Sequence, residues 1–282
     1  MSNDRVGCIV GARKIVLPHN IPVQGMIPMI TYENSSLVEN KKYLDDYVDG
    51  IAIPYDDFLE EHILGSSIFS ILFDGEHIGF FGKLVNMATI FFIRNESFHK
   101  ANEIFADIKQ RFDIKEAFVP TTDVGFMSVT IEKYAGIEIQ AYHFMNIDKV
   151  VRPPEFPRDQ LRLAVENELD AVVDLAGDFL GQYPERIKNK QIYLLEDNGE
   201  LIGLGVLVDN LVMRNCIGTG MFTKENRRGE GVGRSIILHL KDIVHERGKT
   251  PVPGCWYYNT NSKKTLESAG YISKSKLLRF KL

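Results

Sequence analysis

The chain of 282 residues predicts two mixed domains, α/β or α+β, in tandem. Three observations carry this: strands separated by turn signals alternate with amphipathic helices, parts of the first half are echoed in the second, and a proline-rich seam divides them. The seam is KVVRPPEFPRD, in which Pro153, Pro154 and Pro157 interrupt both helix and sheet. It sets the expected domains at 1–150 and 156–282.

Beyond the seam, DQLRLAVENELDAVVDLAGDFL reads as a helix-rich start. KQIYLLEDNGELIGLGVLVD reads as two strands around an Asn-Gly turn, and RNCIGTGMFT as a third strand. From Arg234 onward Ile236, Ile237, Leu240, Ile243 and Val244 share one helical face. Lys241, Asp242, Glu246 and Arg247 lie opposite, and Gly248 is the stop. CWYYN then reads as a strand, SKKTLESAG as a short helix, and YISKSKLLRFKL as a terminal strand or hairpin. In the first half FDGEHIGFFGKL echoes DNGELIGLGVLV, and SVTIEKYAGIEI echoes SKKTLESAGYIS. Gly75 and Gly199 are 124 positions apart and Gly136 and Gly270 are 134 apart, so the second copy has ten extra residues, expected in its turn and helix. ENKKYLDDYVDG reads only as a mixed-charge face.

A formal charge of -5 gives no basic face for nucleic acid. Three scattered cysteines, Cys8, Cys216 and Cys255, form neither a disulfide framework nor a zinc knuckle and fit a reducing compartment. The first apolar run is too brief for a signal segment or a membrane span, so the expectation is a cytoplasmic protein. GCIVGARK carries Gly7, Gly11 and Lys14, which fit a phosphate loop loosely and an apolar strand ended by a turn equally well. His239 and His245 lack metal-pair spacing and read as satisfied or surface residues. Cys216 and Cys255 read as small buried hydrophobes with no covalent role.

The sharpest local signal is ENRRGEGVGRSI, three glycines ahead of the amphipathic helix. As a Walker A loop it fails, because Arg228 and Arg234 stand where glycine and lysine are required. As a dinucleotide fingerprint it fails too, because its third small residue would be Arg234 or Ile236. What remains is Arg228-x-x-Gly231-x-Gly233 between strand and helix, where glycines let the backbone approach a ligand and the helix N-terminus offers free N–H groups. A pyrophosphate suits that geometry.

These residues resemble the GNAT superfamily of acyl-CoA N-acyltransferases. Its Gln/Arg-x-x-Gly-x-Gly/Ala signature is matched by Arg228 to Gly233, and its later asparagine, small residue and Gly-aromatic pair by Asn259, Ser262 and Gly270-Tyr271. The resemblance covers about Phe156 to Leu282. It implies tandem GNAT-like folds, each a mixed, mostly antiparallel sheet flanked by helices, the first a degenerate copy. It also implies acetyl-CoA as co-substrate. Backbone amides of Gly229, Glu230, Gly231, Val232, Gly233 and Arg234 would hold the pyrophosphate, with Arg228 adding charge and Arg227 either adding charge or sitting in solvent. Main-chain groups of Met221, Phe222 and Thr223 would pair with the pantetheine arm as an added strand, and Asn259 and Ser262 would lie toward the thioester.

The implied reaction is direct attack of an amine on the acetyl carbonyl. The chain departs from the family pattern at Leu266, where a tyrosine often serves as general acid. Strand alternation would put Cys255, Tyr257 and Asn259 on one face, which makes Tyr257 a substitute acid. No carboxylate stands on the strand before the turn, and spacing does not choose between remote bases such as Glu196 and Asp209. In the first half SFHKANEIFADIKQRF occupies the place of the turn without a glycine, and Phe98, His99 and Lys100 would crowd a pyrophosphate. That copy is left to shape the acceptor site, in a cleft between domains, or to pack a homodimer. The expected partner is a small-molecule or peptide amine, with no nucleic acid and no membrane. Two other readings stay open: an acyl-CoA-binding sensor without turnover, and a turn that serves another phosphate ligand.

Overall fold

Both halves run through one order of elements. In a computed structural model, which describes residues 29–147 and 149–282, the first half comprises β1 (Ile30–Ser35), α1 (Lys41–Gly50), α2 (Asp57–Leu64), β2 (Ser67–Phe73), β3 (Glu76–Leu84), β4 (Met87–Ile93), α3 (Ala101–Arg111), β5 (Glu116–Pro120), α4 (Val124–Ile131) and β6 (Gly136–Asn146). The second repeats the series as β7 (Leu161–Leu163), α5 (Leu169–Ala176), α6 (Tyr183–Lys188), β8 (Ile192–Asp197), β9 (Glu200–Asp209), β10 (Cys216–Thr223), α7 (Val232–Glu246), β11 (Thr250–Trp256), α8 (Thr260–Ser268) and β12 (Tyr271–Lys281). Cys8 and the GCIVGARK stretch lie outside the described residues.

Local chemistry explains the repeats. Asp74 and Gly75 turn β2 into β3 with φ of 51° and 81°, and Asn198 and Gly199 turn β8 into β9 with 51° and 80°. Two successive left-handed residues make the tight hairpin turn whose twist matches the strands. The second copy's added length divides between α7, 15 residues against 11 in α3, and the β9–β10 connection, 210–215 against 85–86. The ENKKYLDDYVDG stretch is more than a charged face: it holds α1, which buries Tyr43, Leu44 and Tyr47.

The strand read at CWYYN is displaced. β11 starts at Thr250 and ends at Trp256, so Tyr257 and Asn259 are past its end. Pro251 and Pro253 had hidden its start, yet they cost it no ladder bond. Thr250 N–H donates to Asn215 O, toward β10, so the alternate positions 251 and 253 face the other side, where β6 joins only from Gly254. β12 is one strand and not a hairpin.

Twelve strands form one sheet in the order β1-β2-β3-β4-β5-β12-β6-β11-β10-β9-β8-β7. The last strand of each half pairs with the other half: β12 lies beside β5, and β6 beside β11. β4–β5 and β10–β11 are parallel and the remaining pairs antiparallel. α7 lies close on β9 because a Cβ at Gly203 or Gly205 would come within 2.8 Å of Ile236 side-chain atoms. The predicted apolar face of α7, Ile236, Ile237, Leu240, Ile243 and Val244, is buried. At roughly 2 kcal/mol for each such side chain, this face contributes on the order of 10 kcal/mol. No helix among the described residues is long and apolar enough to cross a membrane.

Candidate functional site

β10 and β11 pair only from Cys216–Thr250 to Thr219–Pro253. Past that point β10 stays with β9, up to Thr223–Gly203, while β11 turns to β6 through Gly254, Cys255 and Trp256. The strands therefore fork, and the edge of β10 from Gly220 to Thr223 has no strand on its β11 side. An extended amide-bearing chain would fit there as a strand does.

The glycine turn stands at the open end of the fork. After a 3-10 turn over Glu225–Arg227, Gly229 and Gly231 take φ of 88° and 85°, a region that costs other residues about 1–2 kcal/mol. Gly233 serves differently: it lies in the first turn of α7, and a Cβ there would stand 3.0 Å from Thr223 Oγ1. Ser235 N–H is bonded back to Gly231 O at 2.9 Å, so the amides before it are those a helix start leaves free. No acidic residue occupies that first turn. The dipole and the amides together favour an anion.

A cavity of about 960 Å³ runs from this turn into the fork. All the predicted cofactor-binding residues line it except Glu230, whose carboxylate accepts from Arg227 Nε at 2.8 Å. The neighbouring arginines divide their work. Arg228 lines the cavity with its side chain 57% exposed. Arg227 is spent on Asp197, Glu200 and Glu230 at 2.9, 3.2 and 2.8 Å and pins the β8–β9 hairpin. Arg234 is buried, donating to the carbonyls of Arg152, Pro153 and Ser268 and pairing with Glu155 at 3.0 Å. It offers the ligand its backbone, while its side chain fastens the inter-domain segment onto α7. His239 helps, its ring bonded to Phe156 O at 2.8 Å, which makes it a satisfied buried histidine. His245 is exposed.

Asn259 caps α8, its side-chain oxygen accepting Ser262 N–H at 3.0 Å. That oxygen is committed to the helix, and both residues form cavity wall. Arg152 and Lys264 also line the cavity. Arg152, Arg228 and Lys264 are cations that complement a phosphorylated ligand, and nothing in local spacing links the first and last to the turn.

Tyr257 does not line the cavity. Beyond the end of β11 its alternation argument no longer holds, and its ring stacks on Tyr142 at 5.0 Å. Leu266 is buried in the core. Cys255 does line the cavity, and burial pushes its thiol up to about 11, so it is a neutral thiol at physiological pH. Burial does the same to Cys216. Glu196 is held by Arg162 at 3.1 Å and Asp209 by Lys249 at 2.9 Å, both away from the cavity. The carboxylates that do reach the fork come from the first half, on the sheet face opposite α7. Asp56 packs on Gly254, where a Cβ would overlap it, and Asp57 lies 3.0–3.3 Å from a Cβ built on Gly218.

The first half has the corresponding fork, since β4 and β5 pair only at Met87–Glu116 and Ala88–Ala117. Aromatic rings crowd around it. Phe91 meets Phe126 of α4 at 5.8 Å, and Phe98 stands 3.3 Å from a Cβ on Gly125. The segment Asn95–Lys100 that replaces the glycine turn contains no glycine.

A forked parallel strand pair occurs in both halves, beside a glycine turn at a helix N-terminus in the second and without one in the first. Residues 36–147 match the acetyltransferase (GNAT) domain model, and residues 154–271 the acetyltransferase (GNAT) family model. The chain belongs to the GNAT acetyltransferases, as a tandem of two GNAT domains. A GNAT-family acetyltransferase from Colwellia psychrerythraea superposes with a TM-score of 0.80 at 18% identity, covering 90% of this chain and 99% of that one. A tandem GNAT protein from the clavulanic acid biosynthesis pathway gives 0.56 at 8%, covering 90% and 98%. A GCN5-related N-acetyltransferase from Sphaerobacter thermophilus gives 0.53 at 12%, covering 89% and 95%. At these identities the likeness is one of fold. No curated protein is significantly similar in sequence.

Proposed function

We propose that the second half, 156–282, moves an acetyl group from acetyl-CoA to a primary amine by direct attack, and that the first half, 1–150, does not bind CoA. The carrying observation is the open fork with its two left-handed glycines, set against the first half, whose corresponding segment has no glycine and whose fork is crowded by phenylalanines. The amides of the first turn of α7 hold the pyrophosphate, Arg152, Arg228 and Lys264 supply charge, and the edge of β10 pairs with the pantetheine arm. Burial pushes the Cys255 thiol up to about 11, which disfavours the thiolate a covalent route would need and supports attack without an acyl-enzyme. Release of free CoA thiol in the presence of a panel of primary amines tests this. Amine-dependent release is expected, with no acetyl group left on the protein when amine is omitted. No release with any amine, together with retained acetyl-CoA binding, favours the sensor reading, for which the burial of Leu266 and the absence of Tyr257 from the cavity speak.

A further inference from the structure

The seam between the halves holds polar atoms that the fold leaves unpaired at the fork itself. His143 on β6 is fully buried, and neither ring nitrogen has a hydrogen-bond partner. The hydroxyl of Thr219, the last β10 residue before the strands part, is buried and unpartnered as well. Native interiors satisfy nearly all such groups, so the bare imidazole beside Asp56 calls for a reason; Thr219, next on its strand to Gly218, whose Cβ would meet Asp57, points to the other face. Asp56 Oδ1 lies 3.5 Å from His143 Nε2 and accepts the Leu59 N–H at 3.4 Å, capping α2. His143 is the register partner of Gly254, and the missing side chain at Gly254 admits the Asp56 carboxylate.

The helix that carries Asp56 is clamped in place. Glu60 accepts N–H groups from Leu211 and Met213 of the β9–β10 connection, and Glu61 pairs with Arg186 of α6 at 3.3 Å. On this face of the fork, alternation sets Phe222 beyond Gly220 on one strand and Trp256 beyond Gly254 on the other. Phe179 meets Phe222 at 5.4 Å, and all three aromatics line the cavity. The result is a funnel with a glycine floor and aromatic walls, and Asp56, itself 4% exposed, packs against the Gly254 that lines it.

We propose that Asp56, backed by His143 as a positioning residue, is the proton acceptor for a protonated primary amine, and that Phe179, Phe222 and Trp256 hold an apolar body attached to that amine. This rests on the acyltransfer reading above. The ammonium gives one proton to the Asp56–His143 pair, and its freed lone pair forms the C–N bond at the acetyl carbonyl. The C–S bond then breaks with its electron pair on sulfur, and the second proton leaves the tetrahedral adduct for that sulfur. A chain from the first half thereby completes the site of the second, which explains why a copy with a crowded fork is retained beside an open one.

Beside Asp56 stand Asp57 on α2, Tyr55 before it, His143 on β6 and Cys255 on β11, while Glu61 and Arg186 of α6 act on Asp57. Burial, with Asp56 and Glu61 adding to it, pushes the Asp57 carboxyl up to about 7. Burial and its acidic neighbours thus hold Asp57 toward its neutral form near pH 7, and what fits Asp56 for its role is its placement beside Gly254 and His143.

The test uses the full chain and kcat/KM against pH from 6 to 9, with acetyl-CoA affinity measured beside it. Asp56→Asn keeps the cap oxygen; it should lose about a hundredfold or more at pH 7, the range for general base removal. Its activity should recover tenfold for each pH unit as free amine forms in solution, and acetyl-CoA affinity should stay within threefold. His143→Gln should displace the acid limb of the profile without changing KM. Independently of any variant, wild type should prefer phenethylamine to spermidine by tenfold or more. Asp56→Asn within threefold of wild type across the range would overturn the proton-acceptor role, and equal or better use of spermidine the apolar funnel. Absence of turnover in wild type with every amine would instead defeat the acyltransfer reading on which both rest.

Discussion

Asp123 shows how a single carboxyl records the conflict between a cap and a core. It caps α4 by accepting the Phe126 N–H at 2.9 Å, yet it is only 5% exposed, and its second oxygen has no partner. Burial pushes its carboxyl up to about 7. The native state therefore holds a proton that the unfolded chain, titrating near 3.9, has released. Stability from this group is complete below about pH 4 and is lost as the pH rises toward 7, a change on the order of a few kcal/mol. Asp123→Asn keeps the cap and removes the titration, so urea unfolding between pH 5 and 8 should show a flatter pH slope than wild type and higher stability at pH 7.5. An unchanged slope would sink this account. Sequence reading shows residue types clearly at this scale and partners hardly at all. Arg227, Arg228 and Arg234 are equally basic in the sequence, but only Arg228 lines the cavity with its side chain largely exposed, because the side chains of the other two are spent on acceptors at 155, 197 and 200 and on distant carbonyls.

Among the elements, α7 was the most legible, since its apolar stripe and its glycine turn are both local patterns. β11 was the least, because prolines ordinarily end a strand, and only the absence of a neighbour on one side makes Pro251 and Pro253 tolerable. Tyr257 as an acid followed from that misplaced strand. The glycines of β9 are legible only in part: the pattern Gly-Leu-Gly shows small residues, while the helix pressed on them is seen only in the fold. Gly205→Val would place its side chain against Ile236 and Leu240, 2.8 and 3.0 Å from a Cβ. Overpacking of this kind costs about 1–3 kcal/mol, expected as a lower urea midpoint with the m-value unchanged. A midpoint equal to wild type would mean that α7 moves freely away from the sheet.

At the level of the whole molecule, the sequence echo announced two copies, but pairing across the seam leaves no local trace. β12 stands between β5 and β6, and β6 between β12 and β11, so neither half keeps its own last strand. Removing 1–155 would strip β12 of both neighbours and β11 of one. The two halves should therefore unfold in a single calorimetric transition, and a 156–282 fragment should lack a stable fold. Two resolved transitions would contradict the exchange. The same topology delivers Asp56 and His143 to the fork.

If one turn of one half binds the acyl donor, calorimetric titration of acetyl-CoA into wild type and Arg228→Glu will show it. One site per chain at micromolar affinity, about -8 kcal/mol, is expected, weakened at least tenfold in the variant without loss of fold. Two sites per chain, no binding at all, or an affinity indifferent to Arg228→Glu would contradict it.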